Sequence, residues 1–132
     1  MPIVVDASVV IAVIANESIK PGLIALTHGE ELFAPRSLPW EIGNAFSAMF
    51  KRKAVGLPQA LAAIQEFSRI AITYVEIDLR RSIELSHSLN VYAYDAYLLA
   101  CTEQIGGQLL TLDRGLIEAA RRGGFDVVEV VS

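Results

Sequence analysis

Four acidic side chains in this sequence stand where a carboxylate is costly. Asp6 ends the apolar run Ile3-Val4-Val5, and Asp113 ends Leu109-Leu110-Thr111-Leu112. Glu41 lies in Pro39-Trp40-Glu41-Ile42-Gly43-Asn44-Ala45, and Asp95 interrupts Tyr92-Ala93-Tyr94-Asp95-Ala96-Tyr97-Leu98-Leu99-Ala100. Each alone has an ordinary explanation: Asp6 and Asp113 as helix N-caps, Glu41 and Asp95 as first-turn acids favoured by the helix dipole. As a set they sit among apolar neighbours, where an isolated ionised carboxylate is expensive and several close together repel one another. A hard dication relieves both penalties, and an all-oxygen ligand set points to Mg2+ or Mn2+ rather than zinc. The chemistry that such a cup serves is phosphodiester cleavage, with the ion acidifying water and offsetting charge on the leaving oxygen. Asp6 and Asp95 are the expected central metal ligands, with Glu41 and Asp113 completing the shells. Ser8, two positions after Asp6, is placed to hydrogen-bond its carboxylate. Asn44 shares a helix face with Glu41, and Thr111 shares a strand face with Asp113, so both are expected to support those acids.

The elements needed to bring these acids together are legible. Short apolar, β-branched runs at 2–6, 32–34, 72–77, 108–112 and 126–131 read as strands. Helical patterns fall at 9–15, 19–27, 38–53, 58–69, 79–89, 94–105 and 114–122, with Pro39 suited to a first turn and Asp78 to an N-cap. Gly106-Gly107 and Gly123-Gly124 mark helix-to-strand turns. Strands alternating with helices, and apolar on both faces, argue for an α/β fold with a buried parallel sheet of five strands and about seven helices around it. Ligands of such sheets bind outside the carboxyl ends of the strands, where Asp6 and Asp113 fall. Helix starts that follow strands share that end, so Glu41 and Asp95 can join them.

Length and composition narrow the field. The 132 residues suit one domain, 1–132, with a full core. The apolar fraction of 53% exceeds the usual ~45–50%. A chain this small cannot hide all of it, so an apolar surface for self-association or a partner is expected. Without the four acids the charge is balanced, eleven acidic residues against eleven basic ones. No basic tail exists for extended electrostatic binding of nucleic acid, and Lys51-Arg52-Lys53, the one dense basic cluster, reads as a solvated helix end. Cys101, the single cysteine, sits in an apolar helical pattern and reads as core, consistent with a reduced, cytoplasmic setting. Residues 1–15 lack the positive start of a signal peptide and carry Asp6 within the apolar run. No stretch reaches the ~18 apolar residues needed to cross a bilayer, so no membrane association is expected. At helical spacing the aromatics Trp40, Tyr92, Tyr94 and Tyr97 read as core or subunit contacts sooner than as platforms for a splayed base.

The ordered pieces Val4-Val5-Asp6-Ala7-Ser8, Trp40-Glu41-Ile42-Gly43-Asn44-Ala45, Asp95-Ala96-Tyr97-Leu98-Leu99-Ala100 and Leu110-Thr111-Leu112-Asp113 resemble PIN-domain ribonucleases, in particular the VapC toxins of toxin–antitoxin pairs. No single piece is specific; the four in order and spacing are. The resemblance implies a PIN-like three-layer α/β/α sandwich on a five-stranded parallel sheet. It also implies a Mg2+-dependent endoribonuclease acting on RNA, a homodimer, and an inhibitory antitoxin that docks near the site. Asp6, Glu41, Asp95 and Asp113 match the family's acidic positions, and Ser8 and Thr111 match its hydroxyl positions. Few basic residues flank the acids; Arg114 beside Asp113 and Arg36 before the Glu41 helix are the candidates for a substrate phosphate.

Rival classes lack their signatures. An aspartyl-phosphate phosphatase needs a second acid two positions after the first, where Ser8 stands, and a later lysine, whereas none follows Lys53. No glycine-rich loop precedes a Lys-Ser/Thr pair, so a P-loop is absent. His28 and His87 have no metal-ligand spacing and read as surface or cap residues. Two alternatives stay open: a non-catalytic partner-binding module, and a housekeeping RNA-processing nuclease of the same fold.

Overall fold

The computed structural model describes residues 1–130. The chain runs β1 (Ile3–Val5), α1 (Ala7–Ile14), α2 (Lys20–Thr27), β2 (Leu32–Pro35), α3 (Leu38–Lys51), α4 (Leu57–Phe67), β3 (Ile72–Val75), α5 (Leu79–Leu89), α6 (Ala93–Ile105), β4 (Gln108–Leu110) and α7 (Arg114–Arg122). The sheet is parallel throughout, in the order β3-β2-β1-β4. Seven helices match the expected number.

Alternation along the strands divides the core into two layers. Ile3, Val5 and Leu110 face a cluster with α1, Leu23 of α2, Leu38, Ile42 and Phe46 of α3, and Ala60 and Ala63 of α4. Val4 and Leu109 face the other way, onto Leu85 and Leu89 of α5, the buried stretch Leu98–Cys101 of α6, and Leu116 and Ala120 of α7. The outcome is the expected α/β/α sandwich. Right-handed crossovers explain the division. From β1 to β2 to β3 the chain steps in one direction and lays its helices on one face. From β3 it crosses back past β1 to β4, and its helices fall on the opposite face.

The fifth strand expected at 126–131 is a correction. Val127 makes a single parallel bridge to Leu109, through Leu109 N–H to Asp126 C=O at 2.9 Å and Val128 N–H to Leu109 C=O at 2.9 Å. The ladder goes no further because β4 itself stops at Leu110 rather than at 112. Beyond Leu110 the backbone turns to side-chain partners, Leu112 N–H donating to Ser8 Oγ at 3.0 Å and Asp113 N–H to Thr111 Oγ1 at 3.0 Å. Residue 131 of that expected strand lies outside the described residues.

Caps set the starts of the helices that matter. Asp6, Asp78 and Asp113 each accept a hydrogen bond from backbone N–H groups in the first turn of α1, α5 and α7. Arg81 of α5 clamps Glu103 of α6 through two bonds of 2.8 and 2.9 Å, and Gln104 of α6 bonds Glu76 C=O and Asp78 N–H at 3.0 Å each. These contacts fix α6, which follows another helix and not a strand. Cys101 is buried, as expected, and burial pushes its thiol up to about 12, so it is chemically quiet. Lys51, Arg52 and Lys53 are all exposed at the end of α3. Among the described residues, no helix is long and apolar enough to cross a membrane.

Gly107 is needed where α6 gives way to β4. A Cβ there would meet Pro2 C=O at 2.5 Å, in the backbone that pairs β1 with β4. Gly43, by contrast, lies inside α3 with nothing within 4 Å of an added Cβ. Chemical denaturation should therefore separate the two substitutions. Gly107→Ala is expected to lose about 1–3 kcal/mol to overpacking, while Gly43→Ala is expected to gain about 0.5–1 kcal/mol by removing a helix-interior glycine.

Candidate active site

The site forms where the winding of the sheet reverses, between β1 and β4. The chain leaves β1 toward α1 on one face and leaves β4 toward α7 on the other, which opens a crevice at the carboxyl ends of these neighbouring strands. Asp6 and Asp113 sit at its lip. β2 lies beside β1, so α3, which begins just after it, carries Glu41 in its first turn toward the same end. Asp95 is in the first turn of α6.

Asp6 is the most enclosed of the four, with 6% of its surface exposed. Its Oδ1 accepts from Ser8 Oγ at 2.6 Å and Val9 N–H at 3.1 Å, and its Oδ2 accepts from Thr111 Oγ1. A carboxylate has about four lone-pair positions. Three are taken, and the one left is on Oδ2. Thr111, fully buried, was expected to support Asp113 through strand alternation; it lies beyond the end of β4 and instead donates to Asp6 while accepting from Asp113 N–H. Asp113 caps α7 through Oδ1 alone, from Gly115 N–H at 2.9 Å and Leu116 N–H at 3.3 Å. Capping and an outward-facing second oxygen are thus compatible, and the ordinary explanation of these two acids holds alongside the chemical one.

Electrostatics ties the four together. Burial raises the Asp6 carboxyl, against the three hydrogen bonds that favour its ionised form, and the Asp113 charge adds to the rise. Burial likewise lifts Glu41, to about 7, opposed by its bond from Ser37 and reinforced by the charges of Asp6 and Asp95. Asp95 is raised by burial and then by Asp113 and Asp6, even though a helix start favours the charged form. Each acid therefore lies within electrostatic reach of at least two others. Among the described residues, no three His, Cys, Asp or Glu side chains converge closely enough to enclose an ion by themselves. The arrangement is an open cup.

The supporting residues are only partly those expected. Ser8 bonds Asp6 as anticipated. Asn44 is exposed and lines an open cleft with Glu41, but the partner of Glu41 is Ser37, whose Oγ donates at 2.8 Å. Ser37 was missed; the signal was a serine just before the helix, four positions ahead of the acid, one residue off the usual capping-box spacing. Arg36 is paired with Glu76 at 3.0 Å, with both side chains largely in solvent. Arg114 is exposed and lines a separate cleft with Arg121, Arg122 and Glu129. The aromatics are not core: Trp40 is 74%, Tyr92 89% and Tyr94 54% exposed, and only Tyr97 is half-buried.

Comparison with known proteins agrees with this geometry. The PIN domain family matches residues 3–122. Ribonuclease VapC3 of Pyrobaculum aerophilum is 31% identical over 124 residues, covering 89% of this chain and 94% of its own. Among solved structures, PAE2754 from Pyrobaculum aerophilum superposes with a TM-score of 0.74 at 22% identity, over 97% of this chain and 84% of that one. VapBC2 from Rickettsia felis, solved bound to a DNA fragment from its promoter, gives 0.72 at 11% identity, over 99% of this chain and 100% of that one. Matched in sequence and in fold over most of its length, the chain belongs to the PIN-domain family and, within it, to the VapC group.

Proposed function

We propose that this protein is a divalent-metal-dependent endoribonuclease, the toxin of a toxin–antitoxin pair, and that Asp6, Glu41, Asp95 and Asp113 form its catalytic centre. What supports the reading is that four acids from four chain segments lie within electrostatic reach of one another at one end of the sheet, three of them with their ionised forms disfavoured. A structural salt-bridge cluster would pair acids with bases. Here the charges that act on the three shifted acids are other carboxylates, the arrangement expected where a cation is to bind.

The free position on Asp6 Oδ2 and the carboxylate of Asp95 would hold a Mg2+ or Mn2+ ion, with Glu41 and Asp113 reached directly or through its waters. The chemistry that such an ion supplies when bound is acidification of water and neutralisation of charge on the leaving oxygen. The chain's own residues do the rest. Thr111 and Ser8 lock the Asp6 carboxylate in one orientation, as outer partners of a metal ligand do. Glu41, titrating near neutrality, can take up a proton from the attacking water. Asp113, tied at Oδ1 to the start of α7, presents its other oxygen in a fixed direction.

The name of the Pyrobaculum relative supports RNA as substrate, and the VapBC2 neighbour supports a protein partner for this fold. The surplus apolar residues support one too. Leu57, Leu61 and Ile64 on α4, and Leu79 and Ile83 on α5, leave two apolar stripes in solvent. An antitoxin and a second copy of the chain are the proposed occupants. A cytoplasmic site of action follows from this reading.

Cleavage of RNA should fall at least about 100-fold in Asp6→Asn, which keeps the shape of the side chain and loses its charge. Thr111→Val should cost about 10–100-fold with the fold retained, since only the orientation of Asp6 is affected. Full activity in Asp6→Asn with Mg2+ present would remove the centre from the mechanism.

The acid cup also predicts how stability responds to pH. Glu41 is raised from 4.5 to about 7 in the folded protein, so between those values the folded chain holds a proton that the unfolded chain has released. The stability that Glu41 contributes to the metal-free protein is therefore present in full below about 4.5 and is lost as pH rises through about 7. Melting curves in EDTA should show that fall, and Glu41→Gln should flatten it. Mg2+ or Mn2+ should raise the melting temperature most at the high-pH end, where the acids are free to bind it, and should not do so in Asp6→Asn.

A further inference from the structure

The acids have a neighbour that phosphodiester chemistry does not require. Trp40 immediately precedes Glu41, and Tyr94 immediately precedes Asp95. Both rings stand in solvent, at 74% and 54% exposure, although each costs free energy there. They line one open cleft of about 280 Å³, together with Ala7, Glu41, Asn44 and Ala45. Ala7 directly follows Asp6, so the cleft adjoins the acid cup at Glu41 on one side and at Asp6 on the other. The bounding alanines contribute only methyl groups, which keeps the space between the rings open. Tyr94 is held in one orientation by Tyr97, which meets it edge-on with ring centres 5.8 Å apart and planes at 85°.

The lining selects the chemical class of ligand. It offers two aromatic surfaces and one exposed amide, Asn44, with two donors and an acceptor. Among the described residues it carries no lysine or arginine, and it does carry Glu41, so a phosphate is repelled. A flat, uncharged, aromatic ring with hydrogen-bonding edges is what such a cleft takes. When the ring belongs to a nucleotide chain, its neighbouring phosphodiester comes to lie beside the adjoining acids. We propose that Trp40 and Tyr94 form a nucleobase slot, which accepts an unstacked base of single-stranded RNA next to the scissile phosphodiester, with Asn44 facing the base edge. The slot rests on the ribonuclease reading for its position along the RNA. It also explains how RNA is gripped where basic residues are scarce: Arg36 is engaged with Glu76, and Arg114 lies in another cleft. Stacking on aromatic rings supplies affinity that electrostatics does not.

Trp40 is the only tryptophan of the chain, so its fluorescence reports the slot directly. The probes are single-stranded RNA octanucleotides of mixed sequence, added with Ca2+ as a hard, oxygen-preferring ion, and octamers of the same ribose-phosphate backbone without bases. Saturable quenching by the RNA and none by the abasic chain is expected. Tyr94→Ala should weaken octamer binding about five- to a hundredfold, within the range measured for removal of one stacking ring, whereas Tyr94→Phe should bind as the unmodified protein does. Circular dichroism confirms folding, and both rings are exposed enough for the substitutions to leave the core alone. The slot is overturned if RNA leaves Trp40 emission unmoved, if the abasic octamer quenches equally, or if Tyr94→Ala binds unchanged. It is also overturned if the emission shifts when the protein alone is concentrated, which would make this face a contact between copies. Cleavage of total cellular RNA, compared with Asp6→Asn, is read separately. Asp6-dependent cleavage with a silent Trp40 would sink the slot and leave the nuclease standing, while base-dependent quenching without cleavage would support the slot and count against the nuclease.

Discussion

The structure turns on one buried carboxylate. Asp6 joins two strand ends that are 105 residues apart at its bond with Thr111. Ser8 donates to Asp6 and accepts from Leu112 N–H, and Thr111 donates to Asp6 and accepts from Asp113 N–H. Two hydroxyls thus stitch the exit of β1 to the exit of β4, with the carboxylate between them. The network begins where β4 ends at Leu110, so the sheet and the site meet at these few bonds. Three hydrogen bonds do not offset the desolvation of Asp6, because its carboxyl is still raised. A group that costs stability as it stands, yet is oriented this firmly, is what a binding site retains at the expense of the fold.

Around Asp6 the electrostatics are one-sided. Burial is the largest cause of the shift at Asp6, Glu41 and Asp95, and like charges add to it in every case. The described ion pairs lie elsewhere, at the Met1 amino group with Glu30, Arg36–Glu76, Arg69–Glu66, Arg81 with Glu84 and Glu103, and Arg121–Glu129, all partly or largely in solvent, where such pairs are worth little. The basic residues are spent on the periphery and the uncompensated acids are collected in one crevice. Beside them lies a neutral, aromatic cleft. Two kinds of surface therefore share one end of the sheet: a group of acids whose charges act on one another, and an adjacent cleft lined by Trp40 and Tyr94.

The parallel topology explains why these features can coexist in so short a chain. Strand ends, helix starts and caps all fall on one side of a parallel sheet, and the reversal of winding at β1 and β4 leaves that side open. The faces of the sheet are covered by seven helices and supply the rigidity. Much of the apolar surplus goes to the outer sides of α4 and α5, away from the sheet, where it does not help the core and is available for partners.

By itself, the sequence determined the local elements and the identity of the acids. Apolar runs before Asp6 and Asp113 marked two strands, the second ending at Leu110, short of its acid, and Asp78 marked a helix start. Glycine pairs punctuated the helix-to-strand turns, and the fold class followed from their alternation. Local patterns decide these features because each depends on residues a few positions apart. What only the tertiary structure decided were the partnerships. Thr111 serves Asp6 and not Asp113, because β4 ends before it and its hydroxyl faces the neighbouring strand end. Ser37, not Asn44, holds Glu41. Asp95 is carried by α6, which is seated by its buried stretch Leu98–Cys101 against α5 and the sheet, and no strand delivers it. The expected fifth strand is a single bridge at Val127 beside a β4 that ends at Leu110, and four aromatics at core-like spacing divide into three exposed rings and one half-buried brace. Each of these is settled by groups far apart in the chain competing for the same hydrogen bond or the same surface, a competition that spacing along the chain does not encode.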